Sequence, residues 1–331
     1  MSICLRRREF MTGLGGAAAA WPLSARAQQG GCVRLVGILI GGPGNDPQFE
    51  LRVAGFRQTL AKLGWVEGRN LRTELRYSTG TERIRDGATA LVAMAPEVIL
   101  VGSTPAAKAV RELNETVPIV LPGLNDPIAT GLVGNFARPE NNATGFALFE
   151  PSIAGKWLDL LKEAAPRVRR IAQLSDPASA PETYFTAIEA AARALSVEVF
   201  RVGVRNVLDI VRAIDAFAAE PDGGLLFVPD STISAHRETI FALAVQHRLP
   251  AIYYSNFFAR EDGLMSYGPD PIEFYRGAAI YVDKLLRGTK VSELPVQFPT
   301  KFELVINLKA AKTIGLAIPA TLLARADEVI E

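Results

Sequence analysis

From Val33 onward the chain alternates short, nearly continuous apolar runs with amphipathic stretches of helical length. Val33 to Ile40 (VRLVGILI) has the composition of a strand buried on both faces of a parallel sheet. A Gly/Pro/Asn/Asp loop follows, and then Phe49, Val53, Phe56, Leu60 and Leu63 recur at helical spacing. Further strands are expected over 70–77, 98–101 and 118–121, separated by helices over 82–94 and 105–114. A βαβαβαβ order of this kind predicts a parallel sheet.

The same grammar restarts near residue 153, with helices over 153–165, 182–195, 207–218 and 233–247 between strands over 170–174, 197–202, 224–228 and 251–254. No sequence repeat relates the two series, so they share a pattern only. A strand over 264–267, a helix over 274–286, a Pro-containing connection and a strand over 302–307 follow. The expected fold class is α/β: two Rossmann-like lobes with parallel sheets joined by a multi-stranded hinge. Residues 33–150 with 264–298 are assigned to the first lobe, and 151–263 with 299–331 to the second. With 331 residues and 49% hydrophobic content, the chain is long and apolar enough for two cores.

The N-terminal segment reads as an address. Arg6, Arg7 and Arg8 precede an uncharged run from Met11 to Leu23 and then Ala25, Arg26 and Ala27, the order of a cleaved signal. Arg7 and Arg8 with Phe10 fit a twin-arginine export signal over residues 1–27, cleaved near Ala27, which places the mature chain in the periplasm. A membrane anchor is the alternative, but 13 residues fall short of the roughly 20 that a spanning helix needs. Residues 1–27 hold four of the 36 Lys and Arg and one of the 35 Asp and Glu, leaving 32 against 34 and a net charge of −2. No nucleic-acid or anionic-membrane partner is expected from that balance, and the chain is expected to be a monomer. Cys4 leaves with the signal, so Cys32 has no internal disulfide partner; lipid attachment at Cys32 is the alternative use of that thiol.

Open α/β sheets bind ligands beyond the carboxyl ends of their strands. That rule selects the loops at 41–48, 102–105 and 123–127 in the first series, and 175–181, 229–232 and 255–262 in the second. They are rich in residues that make turns and caps and also hydrogen-bond a small polar solute. In Gly102-Ser103-Thr104-Pro105, Thr104 is placed as N-cap and Pro105 in the first turn, so that two hydroxyls and free N–H groups face the strand ends. Such a start attracts a carboxylate, although capping alone also accounts for Ser103 and Thr104. Asp126 and Asp230 each follow a buried strand beside a proline, one in each lobe, where a carboxylate can receive an ammonium group. Asp46 and Asp176, each before a proline, are weaker cases, and all four also suit solvated turns. Tyr253, Tyr254, Phe257 and Phe258 either wall a pocket or pack beneath a hinge.

Catalytic, cofactor and metal motifs do not emerge from the same loops. His236 and His247 are the only histidines; both fall on the expected helix over 233–247, away from the strand ends. They lack a Cys or carboxylate at ligand spacing, and no metal is expected. G-x-S-x-G, a Walker loop and G-x-G-x-x-G after the first strand are absent, and Pro43 removes an N–H that a phosphate cradle would use. No cofactor and no enzymatic activity are expected. A secreted hydrolase, the enzyme alternative, would need a nucleophile with a base within reach.

Long blocks in a fixed order then carry a resemblance. RRREFMTGLGGAAAAWPLSARAQQ, VGSTPAAKAV, PIVLPGLNDPIATGLVGNFARPENNATG, HRLPAIYYSNFFAREDGLMSYGPD and PTKFELVINLKAAKTIGLAIPATLLARADEVIE resemble the ABC transporter substrate-binding proteins that include receptors for tryptophan and other aromatic amino acids. The resemblance implies a type I periplasmic binding protein of the leucine/isoleucine/valine-binding kind, closing on an aromatic or apolar amino acid and docking on an inner-membrane ABC permease. It implies that Ser103 and Thr104 hold the solute carboxylate, that Asn125 and Asp126 belong to the binding loop, and that Asp230, beside Ser231, receives the ammonium group. Tyr254 falls in the segment from which such proteins reach the cleft. The sequence departs from the pattern at Leu121 to Asn125 and at Ser175-Asp176. A sensor that signals to a membrane receptor would share every one of these residues.

Overall fold

The computed structural model describes residues 33–150, 152–178 and 182–331. The leader expected over 1–27 and Cys32 lie outside the described residues. The first series forms β1 (Arg34–Gly41), α1 (Pro47–Lys62), β2 (Leu71–Ser78), α2 (Thr81–Ala93), β3 (Val98–Val101), α3 (Thr104–Leu113), β4 (Ile119–Leu124) and β5 (Ala143–Ala147). Its five strands are parallel in the order β2-β1-β3-β4-β5. The apolar run of β1 is buried because helices cover both faces of the sheet. On α1, Phe49, Val53, Phe56 and Leu60 all point into that core, as their spacing predicts.

The second series begins with α4 (Ile153–Ala164), β6 (Arg170–Ser175), α5 (Glu182–Leu195), β7 (Glu198–Gly203), α6 (Val207–Ala218) and β8 (Gly223–Phe227). It continues with α7 (Ser231–Ala235), α8 (Arg237–Gln246), β9 (Ala251–Tyr253), α9 (Asn256–Arg260) and β10 (Met265–Gly268). Then come α10 (Pro271–Leu286), β11 (Glu303–Asn307), α11 (Leu308–Thr313), α12 (Ala320–Leu323) and β12 (Glu328–Ile330). The second sheet has seven strands, β12-β11-β10-β9-β8-β6-β7, and β10 with β11 is its one antiparallel pair. Trp157 anchors this lobe: it is fully buried, and its Nε1–H donates to the Tyr267 carbonyl at 2.7 Å.

The chain is therefore an α/β protein with parallel sheets in two lobes. It passes between them after β5, after β10 and again before β11, so three connections make the hinge. The expectation that 264–298 belongs together is corrected by the pairing. β10 adds to β9 in the second sheet, whereas α10 packs on α1 and the first sheet, burying Phe274, Tyr275, Ala278 and Tyr281 there. The strand β5 was not anticipated. Its Gly145 has φ 141°, and a Cβ there would lie 2.2 Å from the Leu121 carbonyl oxygen, so a residue that weakens the strand signal is required by close approach to β4. The single helix expected over 233–247 is in fact two, broken at His236, whose backbone leaves helical geometry at φ −113° and ψ 21°. Among the described residues no helix is long and apolar enough to cross a membrane.

Candidate functional site

The carboxyl ends of β3 and β4 face those of β8 and β9, and a cavity lies between them. Its space amounts to about 720 Å³ when the mouth open to solvent is counted. Of the residues singled out from the sequence, Ser103, Thr104 and Asn125 line it from the first lobe and Asp230, Ser231 and Tyr254 from the second. Leu148, Phe149 and Phe274 supply apolar wall between these polar groups.

On the first-lobe wall, the helix start is displaced by one residue from its expected place. Ser103, extended at φ −159°, is the N-cap of α3 and accepts from the Ala106 N–H at 3.3 Å, while Thr104 is the first helical residue. Relieved of capping, Thr104 is a buried residue whose hydroxyl forms no hydrogen bond with another described residue. Two glycines allow this crowding. A Cβ on Gly41 would lie 2.0 Å from the Ser103 Oγ, and one on Gly102 would lie 2.5 Å from the Tyr275 hydroxyl.

On the opposite wall, Asp230 is buried with its carboxylate largely engaged. Oδ1 accepts from the N–H groups of Thr232 (2.7 Å) and Ile233 (3.0 Å), and Oδ2 accepts from the N–H of Asp176 (2.8 Å). An ionised carboxylate offers about four lone-pair sites, so about one remains for a solute. Burial pushes the Asp230 carboxyl up to about 6, although the N–H groups of Ile233 and Asp176 work in the other direction. Ser234 Oγ donates to the Asp230 carbonyl at 2.9 Å and lies 2.6 Å from the Tyr254 hydroxyl, which also reaches the Asp230 carbonyl at 3.4 Å. Burial raises the Tyr254 pKa, against the Ser234 hydrogen bond and the charge of Arg52, and keeps that hydroxyl protonated.

Asp46, Asp126 and Asp176 do not line the cavity; backbone donors and cross-lobe partners have taken their carboxylates instead. Asp46 caps α1 through Gln48 N–H at 2.9 Å and pairs with Arg237 of the second lobe at 2.5 Å. Asp126 accepts from Ala129 N–H at 3.0 Å and from the Thr183 hydroxyl across the cleft at 2.9 Å. Asp176 closes its own turn onto Ala178 N–H at 2.9 Å, and it acts on the site through the N–H it gives to Asp230 and through its charge, which raises the Asp230 pKa. The aromatic group divides between its two expected roles. Tyr254 reaches the cavity, while Tyr253 stacks between Phe227 and Phe258, each ring centroid 4.9 Å away. Of the histidines, His247 meets Asp215 on the surface and neither borders this cavity.

Sequence reasoning missed Arg52, Tyr275 and Ser255, all of which line the cavity. Ser255 is 2% exposed, and its Oγ has no partner among the described residues. A signal for it existed, since it directly follows Tyr254 in a strand-end loop. No local signal marks Arg52, in the second turn of a long helix, or Tyr275, far along the chain on α10.

The lobes are closed on this cavity. Asn125 Nδ2 donates to the Pro229 carbonyl at 2.6 Å, Gln48 Nε2 donates to Glu261 at 3.0 Å, and the Arg237–Asp46 and Thr183–Asp126 contacts also cross. Burial works against the Arg237 charge, but the hydrogen bonds to Glu261 and Asp46 outweigh it and raise the guanidinium pKa.

Two α/β lobes on a three-connection hinge, closed over a cavity that both line at their strand ends, define a protein of the type I periplasmic binding class. The family model for ABC transporter substrate binding proteins matches residues 38–330, and the chain belongs to that family. A tyrosine-binding protein of Clostridioides difficile (strain R20291) is 22% identical over 276 residues, 82% of this chain and 78% of the relative. Among solved structures, the ABC domain in complex with L-Trp from Streptococcus pneumonia superposes with a TM-score of 0.81 at 22% identity, covering 90% of this chain and 99% of that one. A ligand-free, open substrate-binding protein with adhesive properties from Clostridium difficile reaches 0.64 at 21% identity, again covering 90% and 99%.

Proposed function

We propose that this chain is the periplasmic receptor of an ABC uptake system and that it binds an aromatic or apolar α-amino acid between its lobes. The observation that carries this reading is the polarity of the closed cavity. The start of α3, with Thr104 and its unbonded hydroxyl, offers donors to a carboxylate, and the field of a helix N-terminus favours that charge. Across the cleft, Asp230 offers a remaining acceptor to an ammonium group, with the Tyr254 hydroxyl beside it. Leu148, Phe149 and Phe274 surround an apolar side chain between the two ends. The relatives that bind tyrosine and tryptophan support the same solute class.

Binding works through closure. Each lobe contributes one half of the polar contacts, so a solute stabilises the closed state by its differential affinity and shifts the population toward it. The closed form docks on an inner-membrane permease, to which export by the twin-arginine leader would deliver the receptor. A thermal-shift screen of residues 28–331, refolded to remove carried-over solute, tests the solute class. A selective rise in Tm with aromatic or branched amino acids supports it by mass action. Rises confined to sugars or to acids without an amino group retire it.

A further inference from the structure

We infer that Arg52 is the charge partner of the solute's carboxylate and makes the cleft selective for solutes that carry one; this deepens the amino-acid reading and rests on it. Arg52 stands in the second turn of α1, where a long side chain runs back toward the helix start and so toward the strand ends. Its guanidinium lies 5.0 Å from the ring centroid of Phe49 in the first lobe and 5.1 Å from that of Phe257 in the second. Rings attract a cation by their faces but leave its in-plane N–H donors unused. No Asp or Glu among the described residues forms an ion pair with Arg52, and its buried Nε has no acceptor. The carboxylate of Asp46, at the start of the same helix, is already committed to Arg237.

Tyr275 ties this cation to the start of α3. Its side chain is 3% exposed, its hydroxyl sits beside Gly102, and that hydroxyl forms no hydrogen bond with another described residue. Burial pushes the Tyr275 hydroxyl up to about 12 while the charge of Arg52 pulls in the other direction, so the two groups share one field. Arg52, the Tyr275 hydroxyl and the Thr104 hydroxyl therefore present donors of one sign to the same cavity, opposite Asp230. A fork of guanidinium N–H groups held between two rings matches a carboxylate in shape as well as charge. Because Phe257 belongs to the second lobe, the cation is fully framed only when the lobes have met.

The test is calorimetric titration of residues 28–331, as wild type, Arg52→Gln and Arg52→Lys, with L-tyrosine, L-tryptophan, their amides, and 4-hydroxyphenylacetate. Wild type is expected to bind an acid at least 100-fold more tightly than its amide. Arg52→Gln should weaken the acid at least 50-fold, leave the amide within threefold and so remove the preference, and Arg52→Lys should recover part of it. Equal weakening of acid and amide by Arg52→Gln would mean that Arg52 only packs the lobes together, and overturns the inference, as does an unchanged acid affinity. Thermal unfolding of each solute-free variant separates a folding defect from lost recognition. Binding of 4-hydroxyphenylacetate but of neither amino acid, with loss in Arg52→Gln, would retire the amino-acid reading and keep Arg52 as carboxylate partner. A wild-type chain that binds no carboxylate-bearing probe overturns it.

Discussion

Arg237 grips Asp46 across the cleft with two nitrogens, at 2.5 and 3.1 Å, while its Nε reaches Glu261 on its own lobe at 2.5 Å. Both partners of the cross-lobe pair are buried, which makes the pair a feature of the closed state. Removing one partner of a buried pair strands the other charge, at a cost of about 3–5 kcal/mol. Arg237→Met should therefore disfavour closure and weaken solute binding by about 100-fold or more. Small-angle scattering in saturating solute should show a larger open fraction than in wild type. The double variant Arg237→Met/Asp46→Asn, which strands less charge, should recover part of the loss. Wild-type affinity in Arg237→Met would remove the pair from the closing mechanism.

Thr104 and Ser103 separate recognition from capping. Ser103→Ala removes the N-cap of α3 and should lower stability by about 0.5–2 kcal/mol, visible as a drop in Tm of the solute-free chain. Thr104→Val keeps shape and loses only a hydroxyl that no described residue uses, so it should leave that Tm nearly unchanged while weakening binding by about tenfold. If Thr104→Val binds as tightly as wild type, Thr104 makes no hydrogen bond to the solute.

Asp230→Ala should act on both quantities. Three backbone N–H groups lose their acceptor, at about 1–3 kcal/mol for each that stays unsatisfied, and the ammonium group loses its partner. Affinity for an amino acid should fall at least tenfold even at temperatures where the variant is fully folded by circular dichroism. A variant that is destabilised yet binds normally would confine Asp230 to holding the loop.

The raised pKa of Asp230 gives binding a pH signature. An ammonium group requires the ionised carboxylate, so affinity should be level above pH 6 and fall by about tenfold per unit below it, with a proton released on binding at pH 5. The sign for stability is opposite. With a folded value near 6 against 3.8 for the ordinary group, Asp230 contributes stability that is complete below about pH 4 and lost as pH rises through 6, roughly 3 kcal/mol in all. Titration calorimetry at pH 5, 6 and 7 in two buffers of different ionisation enthalpy reads the binding term. A pH-independent affinity for an amino acid would exclude Asp230 as the ammonium partner.

Much of the architecture was legible because a strand covered on both faces must be apolar throughout, as in β1, and a helix packed on it must repeat at about 3.6 residues, as in Phe49, Val53, Phe56 and Leu60. Ser103, Thr104, Asn125, Asp230, Ser231 and Tyr254 could be chosen in advance because strand-end loops are defined by chain order alone. The aspartates misled for a local reason: a turn or cap carboxylate has the same sequence signature whether it faces the cavity, as Asp230 does, or spends its lone pairs on its own turn, as Asp176 does.

What the sequence by itself determined is most of the elements, their series and the loops from which a site could be built, all set by interactions between residues near one another in the chain. The tertiary structure decided which side chains meet. β10 joined the second sheet while α10 joined the first, placing Tyr275 beside Gly102, and closure set Arg52 between Phe49 and Phe257. Those contacts depend on where separate lobes and distant helices come to rest, and no periodicity along the chain encodes the distance between them.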